Sequence, residues 1–236
     1  MSQTLKSEGI VFKSLKYSET SLILDVYTKE AGLHSFIVSG VRKAKSKMAN
    51  VYHPMNIIDF VAYFSDDKLS RIKEAQFAVR YDDMTFNVVK SSIAMFVIDL
   101  ARNAIQEKEA NLELFSFLKS YLIAIDQSEL NIKYVPLDFT IKLARYLGFG
   151  IQDNYTLLDR YFDMKEGVFV DKNVGHNYIM PEHLSEKLHE LLSENNYSLN
   201  KNERNDLLDQ LINYYRYHID GFRPLKSLAV LRAILS

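Results

Sequence analysis

The 236-residue sequence has no cysteine, and it has no run of about 18 uncharged apolar residues of the kind that a bilayer-spanning helix requires. The lack of cysteine excludes disulfides, zinc–thiolate sites and thiol catalysis. The opening segment MSQTLKSEG contains no apolar signal-peptide core. We therefore expect a cytoplasmic protein with no membrane-associated part.

Glycine is also scarce, with eight residues in the whole chain, and the glycine-dependent catalytic motifs are missing. The sequence has no G-x-x-x-x-G-K phosphate loop, no G-x-G-x-x-G and no G-x-S-x-G elbow. None of the six histidines stands four residues from another, the spacing that places two imidazoles on one helical face for a metal. These absences disfavour a nucleotide-driven enzyme and a histidine metal site.

Adjacent carboxylates occur at two places, Asp66 with Asp67 and Asp82 with Asp83. Both pairs fit turns and helix starts, which acidic side chains favour. A two-metal nuclease would need several carboxylates that converge in space, and the sequence leaves that alternative open.

Charge is balanced, with 29 basic and 30 acidic residues and a net charge of −1. Any attraction to nucleic acid must therefore come from local clusters rather than from the total. Hydrophobic residues make up 47% of the chain, which is enough to bury a core. The length fits two small domains, since domains usually run from roughly 50 to 200 residues.

The first 80 residues carry the short, alternating apolar stretches of β-strands, and the rest of the chain carries helical periodicity. Strands are predicted at residues 8–15, 21–27, 33–39, 55–64 and 71–79. Helices are predicted at 91–106, 111–125, 135–147, 181–193, 202–218 and 224–235, with a small β-hairpin within about 149–180. The expected fold class is α+β, with a small five-stranded barrel over residues 1–80 followed by a mainly helical domain over 81–236.

The connection between the third and fourth predicted strands is long and basic. It spans residues 40–54, begins GVRKAKSK, and carries Arg42, Lys43, Lys45 and Lys47 with no acidic residue among them. Such a cluster attracts a polyphosphate, and OB-type barrels pair a cationic groove with aromatic rings on which bases stack. The alternative is a charged loop that only keeps the protein soluble. The nearest aromatic residues, most of which we expect in the core, are Tyr17, Tyr27, Phe36, Tyr52 and Tyr63.

A second basic cluster lies in the last two predicted helices and the link between them. It comprises Arg216, His218, Arg223, Lys226 and Arg232. The simpler explanation for this cluster is compensation of helix dipoles at their C-terminal ends.

Three longer motifs occur along the chain. Residues 17–47 read YSETSLILDVYTKEAGLHSFIVSGVRKAKSK, in which two aliphatic strands joined by a Thr-x-Glu-x-Gly turn lead into Gly-x-Arg and further basic residues. Residues 143–150 read LARYLGFG, and residues 223–235 read RPLKSLAVLRAIL. In this order and spacing, over nearly the whole chain, the three segments resemble the barrel opening, the Leu-Gly-Tyr/Phe-Gly helix end and the Arg/Lys-Pro-Leu-Lys-Ser ending of the RecO family.

This resemblance implies an N-terminal OB-fold joined to a helical domain, without an enzymatic active site. It implies a DNA repair and recombination mediator that binds single- and double-stranded DNA and anneals complementary strands. The implied protein partners are the acidic C-terminal tail of single-strand-binding protein and RecR, with which it would help to load RecA. The implied location is the cytoplasm, in association with the nucleoid.

The resemblance also implies site residues. The expected DNA contacts are Lys13, Lys16, Arg42, Lys43, Lys45, Lys47, Arg223, Lys226 and Arg232. An acidic tail that ends in apolar residues needs a hydrophobic pocket rimmed by cations. Lys142, Arg145 and Tyr146, on the LARYLGFG helix, are the candidates for that pocket, although the same spacing fits a core face with a basic rim.

The chain departs from the family at one place. Many members carry four zinc-binding cysteines that flank a hairpin after the Leu-Gly-Phe-Gly helix, and here all four are missing. The hairpin-like YFDMKEGVFV at 161–170 is retained, so we predict that packing holds it, with Tyr161, Phe162 and Phe169 in place of the metal. We therefore expect no zinc and no other cofactor.

A different class of function remains open beside the mediator. In this alternative the chain is an adaptor of the repair machinery that binds only proteins and has little affinity for DNA, the basic loop being mere surface.

Overall fold

A computed structural model describes residues 3–41, 48–65, 69–106, 108–171, 175–193 and 198–235. The chain forms two compact units, Met1–Leu130 and Asn131–Ser236. Over the described residues, the first unit contains five strands and two α-helices, and the second contains a small hairpin and four α-helices. A boundary between domains near residue 80 stays a prediction.

The first unit is built around a closed five-stranded barrel with the strand order β1-β2-β3-β5-β4, which confirms the predicted OB-fold. All strand pairs are antiparallel except β3 with β5, which run parallel and close the barrel. The strands are β1 (Gln3–Lys16), β2 (Leu22–Thr28), β3 (Gly32–Val38), β4 (Ile57–Phe64) and β5 (Ser70–Phe77), with a short 3₁₀ helix at Met48–Tyr52 between β3 and β4.

The barrel closes because apolar residues alternate along its strands and point into one core. In β2, Leu22, Leu24 and Val26 are buried and pack with Phe36 of β3 and Phe60 of β4. The Phe36 and Phe60 rings meet edge to face at 5.3 Å between centroids. This core holds the five strands together and fixes which residues face outward.

Two helices of the first unit, α1 (Val88–Ala104) and α2 (Leu112–Asp126), follow the barrel. Each is preceded by an asparagine N-cap: the Asn87 side chain accepts two backbone N–H groups of the first turn of α1, and the Asn111 side chain accepts one in α2. The Phe115 ring of α2 stacks on Tyr27 of β2 at 6.3 Å. The helices therefore pack on the outer side of β1 and β2.

The second unit contains α3 (Val135–Tyr146), the hairpin strands β6 (Tyr161–Asp163) and β7 (Val168–Val170), α4 (Glu182–Leu192), α5 (Lys201–His218) and α6 (Leu228–Ile234). Pro136 lies in the first turn of α3, where a missing N–H is harmless. A capping box between Asn200 and Glu203 starts α5. The predicted helices and hairpin are thus present, and the last helix is shorter at its start than predicted. No helix in the described part of the chain has the length and apolar character needed to cross a bilayer.

Aromatic packing surrounds the hairpin. Phe162 and Phe169 face each other across the two strands at 5.3 Å between ring centroids, and both are buried. Phe162 also meets Tyr214 of α5 edge to face at 5.5 Å. The turn needs Gly167, which has φ +73° and lies so close to the Tyr214 hydroxyl that a Cβ would approach it to 2.7 Å.

Candidate functional site

Four of the predicted DNA contacts, Arg42, Lys43, Lys45 and Lys47, lie outside the described residues. The last described residue before them is Val41, whose side chain belongs to the barrel core. The described structure resumes at Met48, where the 3₁₀ helix begins. Their role as phosphate contacts stays a prediction.

The two cations predicted on the first strand have different surroundings. Lys13 follows a bulge in β1 and is the Cα partner of Asp25, which already accepts two hydrogen bonds from Arg102 at 2.9 and 3.0 Å and one from Ser35 at 2.8 Å. Lys16 ends β1 and is exposed. Lys16 is thus the more accessible of the two for a phosphate.

The five aromatic residues considered for base stacking divide into two groups. Tyr27, Phe36 and Tyr52 are buried, as expected for most of them. Tyr17 is 63% exposed in the turn after β1, and Tyr63 is 47% exposed near the end of β4. These two rings are the members of the set that a base can reach.

The sequence reasoning missed Arg71 as a candidate. This exposed residue of β5 is the Cα partner of Tyr63, and its guanidinium donates a 3.4 Å hydrogen bond to the Ser39 hydroxyl. Ser39 directly follows β3, at the start of the basic connection. No local motif marks Arg71, because its neighbours come from strands that are distant in sequence.

In the second unit, the structure places two of the three predicted pocket residues around one groove. Lys142 and Arg145 of α3 line a groove of about 450 Å³. The groove's apolar lining consists of half-buried side chains from α3, from the segment after it and from the end of α4, namely Ile141, Ile151, Leu191 and Leu192. This arrangement joins apolar walls to a cationic rim.

The rim cations differ in their ion pairs. Lys142 Nζ lies 2.9 Å from the Asp138 carboxylate, one helical turn away, and both side chains are largely exposed. Within the described part of the chain, Arg145 forms no such ion pair. Arg145 is therefore the stronger candidate for binding a carboxylate. Tyr146 does not line the groove, and Leu143 is fully buried in the core.

The three C-terminal cations that were predicted to contact DNA differ in their surroundings. Arg223 and Lys226 are exposed in the segment before α6. Arg232, on α6, forms an ion pair with Asp209 of α5 and is partly buried. The Asp209 carboxylate partly neutralises Arg232, so Arg223 and Lys226 are the more available for a phosphate.

The carboxylate pairs considered for a metal do not form a cluster where they are described. Asp66 and Asp67 lie outside the described residues. Asp83 forms a 2.8 Å ion pair with Lys90, and hydrogen bonds from Lys90 and Asn87 lower the pKa of its carboxyl. Among the residues that the structure describes, no group of three or more His, Asp or Glu side chains is placed to hold a metal ion.

The chain has a closed OB-fold barrel followed by a helical unit, and a groove with apolar walls and a cationic rim lies among those helices. The fold therefore places it among the OB-barrel proteins that carry an appended helical unit. Comparison with known proteins specifies the family. Residues 1–81 match the family described as Recombination protein O N terminal, and residues 86–229 match Recombination protein O C terminal.

Named relatives agree over nearly the full length. The chain is 34% identical to the DNA repair protein RecO of Phocaeicola vulgatus over 240 residues, which cover 98% of this chain and 99% of that one. It is 33% identical to the protein of the same name from Flavobacterium psychrophilum, with coverage of 98% and 99%. A more distant relative, from Streptococcus thermophilus, is 27% identical over 97% of this chain and 81% of its own. The chain therefore belongs to the RecO family of DNA repair proteins.

Proposed function

We propose that this chain is a recombination mediator that binds single- and double-stranded DNA and anneals complementary strands. Together with RecR, it helps to load RecA onto DNA that is covered by single-strand-binding protein. It acts in the cytoplasm at the nucleoid, by binding and displacement rather than by chemistry on a substrate, and it uses no zinc or other cofactor.

The observation that carries this proposal is membership of the RecO family across both parts of the chain, with a closed OB barrel as the first part. OB barrels bind single strands through cations that track the backbone and rings that stack on bases. The sequence supplies four cations, Arg42, Lys43, Lys45 and Lys47, in one connection of this barrel. Lys16 adds a cation at the end of β1.

The groove in the second unit supports a protein partner. An acidic peptide that ends in apolar residues and a free carboxylate would place its apolar side chains against Ile141, Ile151 and Leu192. Arg145 would then receive the carboxylate through paired hydrogen bonds, the geometry that a guanidinium favours. We propose this groove as the site for the tail of single-strand-binding protein.

DNA binding is tested by fluorescence anisotropy with labelled single-stranded DNA over a series of salt concentrations. The variant replaces Arg42, Lys43, Lys45 and Lys47 with alanine. We expect several-fold weaker binding. We also expect the slope of log affinity against log salt concentration to fall in magnitude by roughly 3, since each phosphate contact contributes about 0.7 to that slope for single strands. The matched control removes four exposed cations elsewhere, Lys29, Lys108, Lys165 and Lys201, and should bind like the native chain.

The same experiment decides between the mediator and an adaptor that binds only proteins. A native chain without measurable affinity for DNA at moderate salt would favour the adaptor. Equal losses in the variant and the control would mean that net charge, and not the basic connection, governs binding. Incubation of labelled DNA with Mg²⁺ addresses the nuclease alternative, which requires that the DNA become shorter.

A further inference from the structure

The outer face of the barrel carries one continuous row of residues that crosses all five strands. The row consists of Leu15, Ile23, Ile37, Arg71 and Tyr63, each the Cα partner of the next. With about 4.8 Å from strand to strand, four steps make a path of about 19 Å. We name these five residues the barrel belt.

The belt faces outward because its neighbours face inward. Successive side chains of a strand point to opposite faces. Residues that flank the other four belt members along their strands belong to the buried core, namely Leu22, Leu24, Phe36, Val38, Ala62 and Ile72. Leu15 is assigned to the same face by its pairing with Ile23. Leu15 and Tyr63 are each 47% exposed, and Arg71 is exposed as well. Ile23 and Ile37, in the middle of the belt, are half-buried.

The chemistry of the belt fits unpaired bases better than a duplex. Four of its members offer aliphatic or aromatic surface, on which a base can lie, and the fifth is a cation. In a duplex the base faces are hidden by stacking, so a duplex would offer the belt little beyond its phosphates. Tyr17, two residues beyond Leu15 in the same end of the barrel, adds a second exposed ring.

A second region of the barrel surface has the opposite charge. A groove of about 700 Å³ lies further along β1, β4 and β5, and its charged lining consists of the carboxylates Glu8, Glu30, Asp59 and Glu74 with the two lysines Lys6 and Lys29. Phosphates are repelled by this excess of carboxylates. The acidic groove is therefore less suited than the belt to a strand of phosphates.

We propose that the barrel belt is the surface on which single-stranded DNA lays its bases, with Tyr63 stacking on one base and Arg71 contacting an adjacent phosphate. This inference rests on the proposed DNA binding and specifies where the bases lie. The barrel should therefore bind a single strand that carries bases more tightly than an abasic strand of the same length.

The test compares two labelled strands of about 30 units by fluorescence anisotropy, one of oligothymidine and one with the same phosphates but abasic sugars. Tyr63→Ala should weaken binding of oligothymidine by roughly 5- to 140-fold, as expected for one lost base stack, and leave the abasic strand within about two-fold. Tyr63→Phe keeps the ring and should bind oligothymidine like the native chain. Arg71→Gln should weaken both strands, because both carry phosphates.

Tyr217→Ala is the matched control, since Tyr217 is also 47% exposed but lies on α5. It should leave both affinities unchanged. If Tyr63→Ala binds oligothymidine as tightly as the native chain, or weakens both strands equally, the belt is not a base-stacking surface although the chain still binds DNA. If the native chain binds neither strand, the proposed DNA binding fails and the belt fails with it.

Discussion

At the scale of single residues, the Asp126 carboxylate of α2 binds the backbone of a distant segment of the first unit. This residue ends α2 and accepts the backbone N–H groups of Asp82, Asp83 and Met84 at 2.7–3.0 Å. Its backbone carbonyl accepts the Lys90 ammonium at 2.6 Å. One side chain thus fixes the segment that leads from the barrel into α1.

This network sets the ionisation of Asp126. Burial alone raises the pKa of its carboxyl, but the three backbone N–H groups and the Lys90 ammonium outweigh burial and hold the pKa below its ordinary value. A carboxyl whose pKa is lower in the folded state stabilises the fold above the pH at which the unfolded group titrates, about 3.9. That stabilisation is lost as the pH falls through the folded-state pKa.

We predict that Asp126→Asn lowers the free energy of unfolding by about 1.5–3 kcal/mol at pH 7, since an amide has one acceptor oxygen and no charge for three donors. Urea unfolding at pH 7, 5 and 3.5 measures the difference from the native chain, which should be equal at the first two values and smaller at the third. The neighbouring Asp82→Asn, whose side chain is exposed, should change stability by less than about 0.5 kcal/mol. A difference that does not change between pH 5 and 3.5 would contradict the role of the charge.

At the scale of elements, the sequence predicted strand boundaries most accurately where apolar side chains alternate clearly. Strands β2, β3 and β4 were predicted to within two residues because alternating branched and aromatic side chains mark them. The first five residues of β1 were missed. That stretch, QTLKS, contains one large apolar residue, and its strand conformation comes from pairing with the end of β4.

The hairpin β6–β7 is the element for which the sequence predicted packing in place of a metal. Phe162 and Phe169 are buried, whereas Tyr161 is half-buried and donates a 2.7 Å hydrogen bond from its hydroxyl to Glu182. Phe169 also meets Tyr155 edge to face at 5.4 Å. The two phenylalanines therefore supply the buried contacts of the hairpin, and Tyr161 ties it to α4.

We predict that Phe169→Ala destabilises the second unit by about 3–5 kcal/mol, the usual cost of emptying a phenylalanine site in a core. We also expect that EDTA leaves the melting temperature of the native chain unchanged. Differential scanning calorimetry measures both, and Leu158→Ala, at a side chain that is 81% exposed, serves as the control without effect. A fall in melting temperature on chelation would mean that a metal holds this element after all.

For the whole molecule, the sequence predicted the order of elements well but the groove only in part. Arg145 was found because it lies in the motif LARYLGFG, and Lys142 because it directly precedes that motif on the same predicted helix. The apolar walls were missed, since Ile151 and Leu192 come from separate segments that only the folded chain brings together. Arg71 and Tyr63 became neighbours in the same way, through strand pairing. Such sites follow from topology and not from local periodicity.

The proposed DNA-binding surface of the barrel and the proposed peptide groove of the second unit bind different partners. A substitution in one should therefore leave binding at the other unchanged. We predict that Arg145→Glu weakens binding of an acidic peptide with the tail sequence of single-strand-binding protein by at least about 10-fold, since it replaces the carboxylate-binding cation with a like charge. The same variant should anneal bare complementary strands at the native rate, because Arg145 is not among the proposed DNA contacts. On strands covered by single-strand-binding protein, it should anneal more slowly than the native chain.

Arg216→Glu is the matched control. Like Arg145, Arg216 is an exposed arginine in the last turn of its helix. Both substitutions therefore remove the same favourable interaction with a helix dipole. The variant without Arg42, Lys43, Lys45 and Lys47 should lose annealing on bare and covered strands alike. Rates are read from the quenching of paired fluorophores on the two strands. If Arg145→Glu anneals covered strands as fast as the native chain does, the groove is not where the tail binds, and the partner must contact another surface.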